Sequence, residues 1–238
     1  GGTARWGGGP ASRAPPHPSL SPSQVLLSRR GSAALAELNR PRSLNALTTR
    51  MVAALLAAYT RWDADPRVSC IVLSGAGKVR RRGRKLVALS GRARPTPSSS
   101  SPSQAFCAGG DVKAVVAAVR EGRAADADAF FRAEYTLDWA ISRLATPHVA
   151  LLHGVVFGGG AGLVMHGRYA VATEGAVFAM PECGIGLFPD VGASHALPRL
   201  PGATWTAAAS CGLLLPRGGH ACSYPTPALP NPPLPTPP

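Results

Sequence analysis

Apolar runs of strand length alternate with longer runs of helical spacing along most of this 238-residue chain, which restricts it to an α/β architecture. Residues 25–28 and 33–38 read as two short strands around a turn at 29–32. LNRPRSLNAL, residues 38–47, then leads into a helix with Met51, Leu55, Leu56 and Tyr59 on one face and either Asn45 or Thr48 as its N-cap. Residues 68–74 are apolar throughout, as in a strand buried on both faces, so the first unit is β-β-α-β. Helices are expected from Asp111 to about Arg120 and over 125–144, where Phe130, Phe131, Tyr135, Leu137, Trp139 and Ile141 supply the apolar positions. Residues 149–156 read as one strand, GGGAGL at 158–163 opens another helix, and residues 169–173 and 177–179 are strands again.

This pattern does not run through the whole chain. Residues 1–24, 92–104 and 216–238 are built from Gly, Pro, Ser and Ala, a composition that buries too little apolar surface to offset chain entropy. The expected organisation is a disordered segment over 1–24 and a core over 25–202. A disordered basic insertion at about 78–104 interrupts that core, and a divergent Pro-rich tail follows over 203–238. The insertion separates GAGK from AFCAGGD, two segments that otherwise read as consecutive.

The net charge of +13 follows the same division. Eight Lys and Arg residues fall within 78–103 and four within the first thirty residues, with no acid in either stretch, and the remainder is close to neutral. Without interleaved aromatics, this basicity does not describe a nucleic-acid surface. No apolar run reaches the 18 residues of a membrane span. The five cysteines, Cys70, Cys107, Cys183, Cys211 and Cys222, are scattered without CxxC or Cys/His spacing, so no metal site is expected.

Three segments carry chemistry. Gly109-Gly110 follows FCA at a strand end, and Gly158-Gly159-Gly160 follows a strand and opens a helix. Both place backbone N–H groups where an oxygen can approach unobstructed, the requirement of an oxyanion hole. AMPECGIGLFPD, residues 179–190, sets Glu182 and Asp190 in an otherwise apolar stretch, and a carboxylate there is costly unless it is paired or used. Two positioned acids suit water activation and proton transfer.

In that order AFCAGGD, HGVVFGGGAGL and FAMPECGIGLFPDVGASHALPRL, with LNRPRSLNAL and FFRAEYTLDWAI, resemble the enoyl-CoA hydratase/isomerase (crotonase) superfamily, and within it the 3-hydroxyisobutyryl-CoA hydrolase branch. The resemblance covers 25–77 and 105–202 and implies a spiral of β-β-α units, incomplete at the C-terminus. It implies hydrolysis of 3-hydroxyisobutyryl-CoA, a short branched acyl-CoA thioester of valine degradation, to 3-hydroxyisobutyrate and CoA. By position it makes Gly110 and Gly159 the oxyanion donors and Glu182 and Asp190 the catalytic acids; Glu134, Gly159, Glu182 and Asp190 contact the substrate. It implies no metal and no cofactor, since coenzyme A belongs to the substrate. It also implies a mitochondrial matrix location, although no clear targeting signal is visible, and a homo-oligomer if the C-terminal region were complete.

Gly162 stands where a hydratase resembling crotonase carries its first glutamate, and Asp190 stands where many hydratases have glycine. Both differences favour thioester hydrolysis over hydration. Two alternatives stay open. One is a hydratase/isomerase-type enzyme. The other is an inactive truncated homologue, because the chain departs from the family after about residue 200 and the insertion lies next to Gly110.

Overall fold

A computed structural model describes residues 23–77, 105–173 and 175–199, together with the short strand Tyr224–Pro225. The expected insertion, most of the N-terminal segment and most of the tail lie outside the described residues.

Two sheets form. The larger has the order β1 (Val25–Arg30), β2 (Ala33–Leu38), β3 (Cys70–Gly75), β5 (His148–Leu152), β7 (Tyr169–Ala172), β9 (Tyr224–Pro225). The smaller has the order β4 (Ala105–Cys107), β6 (Val155–Phe157), β8 (Val177–Ala179), all parallel. In the larger sheet β2, β3, β5 and β7 are parallel, and the edge strands β1 and β9 run antiparallel to their neighbours. Each repeat, β3-β4, β5-β6 and β7-β8, adds one strand to each sheet. Helices fill the returns: α1 (Thr49–Asp63) before β3, α2 (Val112–Arg120) and α3 (Ala124–Arg143) before β5, and α4 (Gly159–Met165) before β7. The expected β-β-α spiral is therefore present over the described residues.

Local chemistry explains the elements. Thr48 caps α1, its Oγ1 accepting from the Met51 N–H, so of the two cap candidates Thr48 serves. Asn45 does other work in a left-handed conformation, φ 55°. Its Nδ2 donates to the carbonyls of Ala76 and Ala105 at 3.0 and 2.8 Å, and its Oδ1 accepts from the Arg40 N–H at 2.9 Å. Ala76 and Ala105 lie on either side of residues 78–104, so this one amide pins the exit of β3 to the entry of β4. Met51, Leu55, Tyr59 and Trp62 of α1 are buried together with Leu38, Ile71, Leu73 and Leu137 in the main core. Truncating a fully buried leucine there to alanine is expected to cost about 2–5 kcal/mol.

Several expectations need correction. β1 extends through Arg30, leaving a tighter turn at Gly31, φ 59°. β3 is not buried on both faces: Ile71 and Leu73 are buried and the alternate positions are half-buried. Residues 149–156 are two strands, not one, because the chain turns at Gly154, φ 58°, and passes from one sheet to the other. In α3, Tyr135 and Trp139 point outward and are exposed, whereas Glu134 and Asp138 are buried with Phe130, Leu137 and Ile141. Two short pieces next to or within the segments expected to be unstructured are described. Gln24 accepts from the Asn39 N–H and the Thr48 hydroxyl, and Tyr224–Pro225 pairs with the otherwise open edge of β7.

Candidate active site

The three parallel strands of the smaller sheet end side by side. β4 runs into Gly109-Gly110, β6 into Gly158-Gly159, and β8 into Met180, Pro181 and Glu182. Ligand sites in α/β sheets form beyond such carboxyl ends. The Gly158 N–H donates to the Ala179 carbonyl at 3.3 Å, joining two of the exits. Gly109 and Gly158 have φ of 98° and 47°, values that suit glycine. The first two loops meet backbone to backbone: a β-carbon placed on Gly159 would lie 3.4 Å from the Gly110 nitrogen. Neither the Gly110 nor the Gly159 N–H donates a backbone hydrogen bond among the described residues, as expected of Gly159 at the first position of α4. Two N–H groups without a backbone hydrogen-bond acceptor thus lie close together.

Carboxylates surround them. Glu182 opens a 3-10 turn, Glu182–Ile185, and is 8 % exposed. Its Oε1 lies so close to Gly158 that a β-carbon there would collide with it, and its Oε2 has no hydrogen-bond partner. Burial, reinforced by Asp190, pushes its carboxyl up to about 7 against a smaller opposing effect of its own backbone N–H. Glu134 is 3 % exposed and reaches from α3 to Gly159, where its Oε1 fills the space a β-carbon would take, and it also faces Gly110. Burial first, then the charges of Asp190 and Glu182, raise it to about 8. Asp190 lies in the loop after the 3-10 turn, where Oδ2 accepts from the Tyr135 hydroxyl at 2.8 Å. The next residue, Val191, is buried at φ 44°, a rare conformation for a β-branched residue, and its carbonyl contacts His166 Nε2 at 2.6 Å. The fold therefore brings together Gly110, Gly159, Glu134, Glu182 and Asp190.

Three residues here escaped the sequence reading: Tyr135, His166 and Asp138. Asp138 is 5 % exposed and neither of its oxygens has a hydrogen-bond partner. It sits one helical turn after Glu134, so the i, i+4 spacing was the available signal. Its carboxyl occupies space left by Gly162, since a β-carbon on Gly162 would stand 2.9 Å from both oxygens. A cavity of 540 Å³ opens beside it, walled by Tyr135, Trp139, Phe188 and Val191, with Asp138 and Asp190 as its acids. Among the described residues none of Glu134, Asp138 and Glu182 forms an ion pair. No group of three His, Cys, Asp or Glu residues there could hold a metal ion, and no helix there is long and apolar enough to cross a membrane.

The enoyl-CoA hydratase/isomerase family model matches residues 33–91 and 96–216, which is most of the chain and all of this site. The chain belongs to that family. This family member is 43 % identical over 179 residues to the mitochondrial 3-hydroxyisobutyryl-CoA hydrolase of Rattus norvegicus, covering 75 % of the chain and 40 % of the relative. It is 41 % identical over 182 residues to a probable 3-hydroxyisobutyryl-CoA hydrolase 3 of Arabidopsis thaliana, covering 76 % and 41 %. Among solved structures it is similar to an enoyl-CoA hydratase from Rhodobacter sphaeroides, with a TM-score of 0.67, 34 % identity, and 82 % and 50 % of the two chains covered. The chain thus spans about two fifths of the length of the curated relatives it matches.

Proposed function

We propose that this family member is a thioester hydrolase acting on 3-hydroxyisobutyryl-CoA, with CoA entering only as part of the substrate and with no separate cofactor. The observation that carries the reading is the juxtaposition of two unengaged N–H groups, Gly110 and Gly159, with a buried Glu182 raised to about 7. The curated relatives named as 3-hydroxyisobutyryl-CoA hydrolases support the substrate. The mitochondrial ones among them support a mitochondrial location, and the role in valine degradation rests on the family resemblance alone. Gly162 supports hydrolysis over hydration, because a glutamate there would have to displace Asp138 and Val191.

In this mechanism the thioester carbonyl oxygen lies between the two N–H groups, which stabilise the tetrahedral oxyanion by a few kcal/mol per donor (about 3 kcal/mol). Glu182 acts in one of two ways. As a general base it takes a proton from water while the water oxygen bonds to the carbonyl carbon. The C–S bond then breaks and the proton passes to the CoA thiolate. As a nucleophile it bonds to the carbonyl carbon itself, expels the thiolate and leaves an anhydride that water hydrolyses. Asp190, held by Tyr135, orients the water or the acyl hydroxyl, and Glu134, protonated below about pH 8, contacts the acyl group.

Thiol release from 3-hydroxyisobutyryl-CoA tests the reading, with crotonyl-CoA hydration as the comparison. The soluble chain releases thiol, and Glu182→Ala and Asp190→Ala abolish the release. Undiminished rates in either variant, or hydration without thiol release, would sink it. Single turnover in ¹⁸O-water separates the two roles of Glu182, since only the anhydride route leaves label in its carboxylate.

A further inference from the structure

Asp138 is unexplained by the mechanism above. It is buried in α3 with two unpartnered oxygens, an arrangement that folding alone disfavours and that a ligand can relieve. It is also accommodated: Gly162 supplies the space its carboxyl occupies, beside the Val191 side chain. Asp138 lines the 540 Å³ cavity with Tyr135, Trp139, Phe188 and Val191, surfaces suited to a short aliphatic group, and with the polar Arg143, His166 and His195, its buried oxygens lying just behind that wall.

We infer that Asp138 is a specificity-determining residue, whose carboxyl hydrogen-bonds a hydroxyl on the acyl group seated in this cavity. The inference rests on the acyl-CoA reading and deepens it. Burial, then the charges of Glu134 and Asp190, hold Asp138 well above the usual carboxylate range. It therefore presents an O–H donor and a carbonyl acceptor, and one alcohol can satisfy both. An acyl group lacking the hydroxyl leaves both buried groups unpaired, the arrangement by which a polar site rejects an apolar analogue. Glu134 reaches instead toward Gly159 and Gly110, so the two buried acids of α3 serve different parts of the substrate.

The test is calorimetric binding to the full chain of non-hydrolysable thioether analogues of two compounds, 3-hydroxyisobutyryl-CoA and its deoxy counterpart. The parent favours the hydroxylated analogue by about tenfold or more. Asp138→Leu removes that preference. Asp138→Asn, which keeps a donor and an acceptor, retains it within about threefold. Gly162→Ala, which crowds the carboxyl without removing it, reduces the preference with Asp138 intact, so the test does not depend on the leucine variant folding. Absence of preference in the parent, an unchanged preference in folded Asp138→Leu or Gly162→Ala, or loss in Asp138→Asn equal to that in Asp138→Leu overturns the inference. Failure to bind either analogue overturns it together with the acyl-CoA reading. Binding with the expected preference but no thioester cleavage supports Asp138 while removing the hydrolase reading.

Discussion

The Tyr135 hydroxyl donates to Asp190 Oδ2 at 2.8 Å, tying α3 to the loop after β8 across 55 residues of chain. Asp190 would otherwise depend for its position on the strained Val191 and on the contact between that residue's carbonyl and His166. Tyr135→Phe removes one hydrogen bond to a carboxylate and no packing volume. It is expected to lower kcat for thioester hydrolysis about tenfold, with KM changed less than about threefold. Steady-state kinetics check this, and an unaltered kcat would show that Asp190 needs no such support.

Glu182 must be ionised to attack or to accept a proton. Its carboxyl is raised to about 7, so kcat/KM is expected to rise with pH through that value and level off above it. Glu182→Gln lowers the rate by about 10²-fold or more and abolishes this limb. A pH–rate profile with its acid limb near pH 4 would assign the titration elsewhere.

Glu134 makes stability depend on pH in the direction opposite to most carboxylates. Its folded value is raised from 4.5 to about 8, so between those pH values the folded state holds a proton that the unfolded state has released. The slope of unfolding free energy with pH is therefore negative. The stability this proton supports is present below the unfolded value and is lost as pH rises through about 8. Urea titrations should show a loss of order 2–4 kcal/mol between pH 5 and pH 8 from this group. Glu134→Gln should flatten that part of the profile, and an equally steep fall in the variant would refute the assignment.

Neighbouring glycines should fail differently. A methyl on Gly160 would meet the Cys107 carbonyl at 2.6 Å, a backbone collision between α4 and β4. Gly160→Ala is expected to cost about 1–3 kcal/mol of stability. A methyl on Gly159 meets the end of the Glu134 side chain, which can move. Gly159→Ala is therefore expected to lose activity, by about 10²-fold, with a smaller change in Tm. Thermal melts with paired assays distinguish them, and equal Tm losses would contradict the distinction.

Asn45 is fully buried and bonds both flanks of the insertion. Asn45→Ala leaves two carbonyls and one N–H without this partner, and alanine is strained at φ 55°. A loss of about 2–4 kcal/mol is expected, read as an earlier denaturation midpoint. Shortening the segment within 80–102 should change the unfolding free energy by less than about 1 kcal/mol, because loop-closure entropy varies slowly with length.

The sequence carried the chemistry of the site further than its geometry. Gly109-Gly110 and Gly158-Gly159-Gly160 drew attention because glycine at a strand end admits the approach of an oxygen, and the resemblance singled out Gly110 and Gly159 among them. Glu182 and Asp190 were legible because acids are conspicuous in an apolar stretch. The break between β5 and β6 was not, since HVALLHGVVF is apolar apart from its two histidines and only the separation of two sheets shows why the chain turns at Gly154. In α3, periodicity placed Tyr135 and Trp139 inward on the rule that aromatics bury and acids do not. The helix is instead rotated so that Glu134 and Asp138 face the site.

By itself the sequence determined the strand-and-helix alternation and the chemical identity of the donors and acids, because these depend on local composition and spacing. Tertiary structure alone decided which face of α3 turns inward. A buried carboxylate is unfavourable until a facing backbone makes room for it, and the room beside Glu134 and Asp138 comes from Gly159 and Gly162 on a different helix.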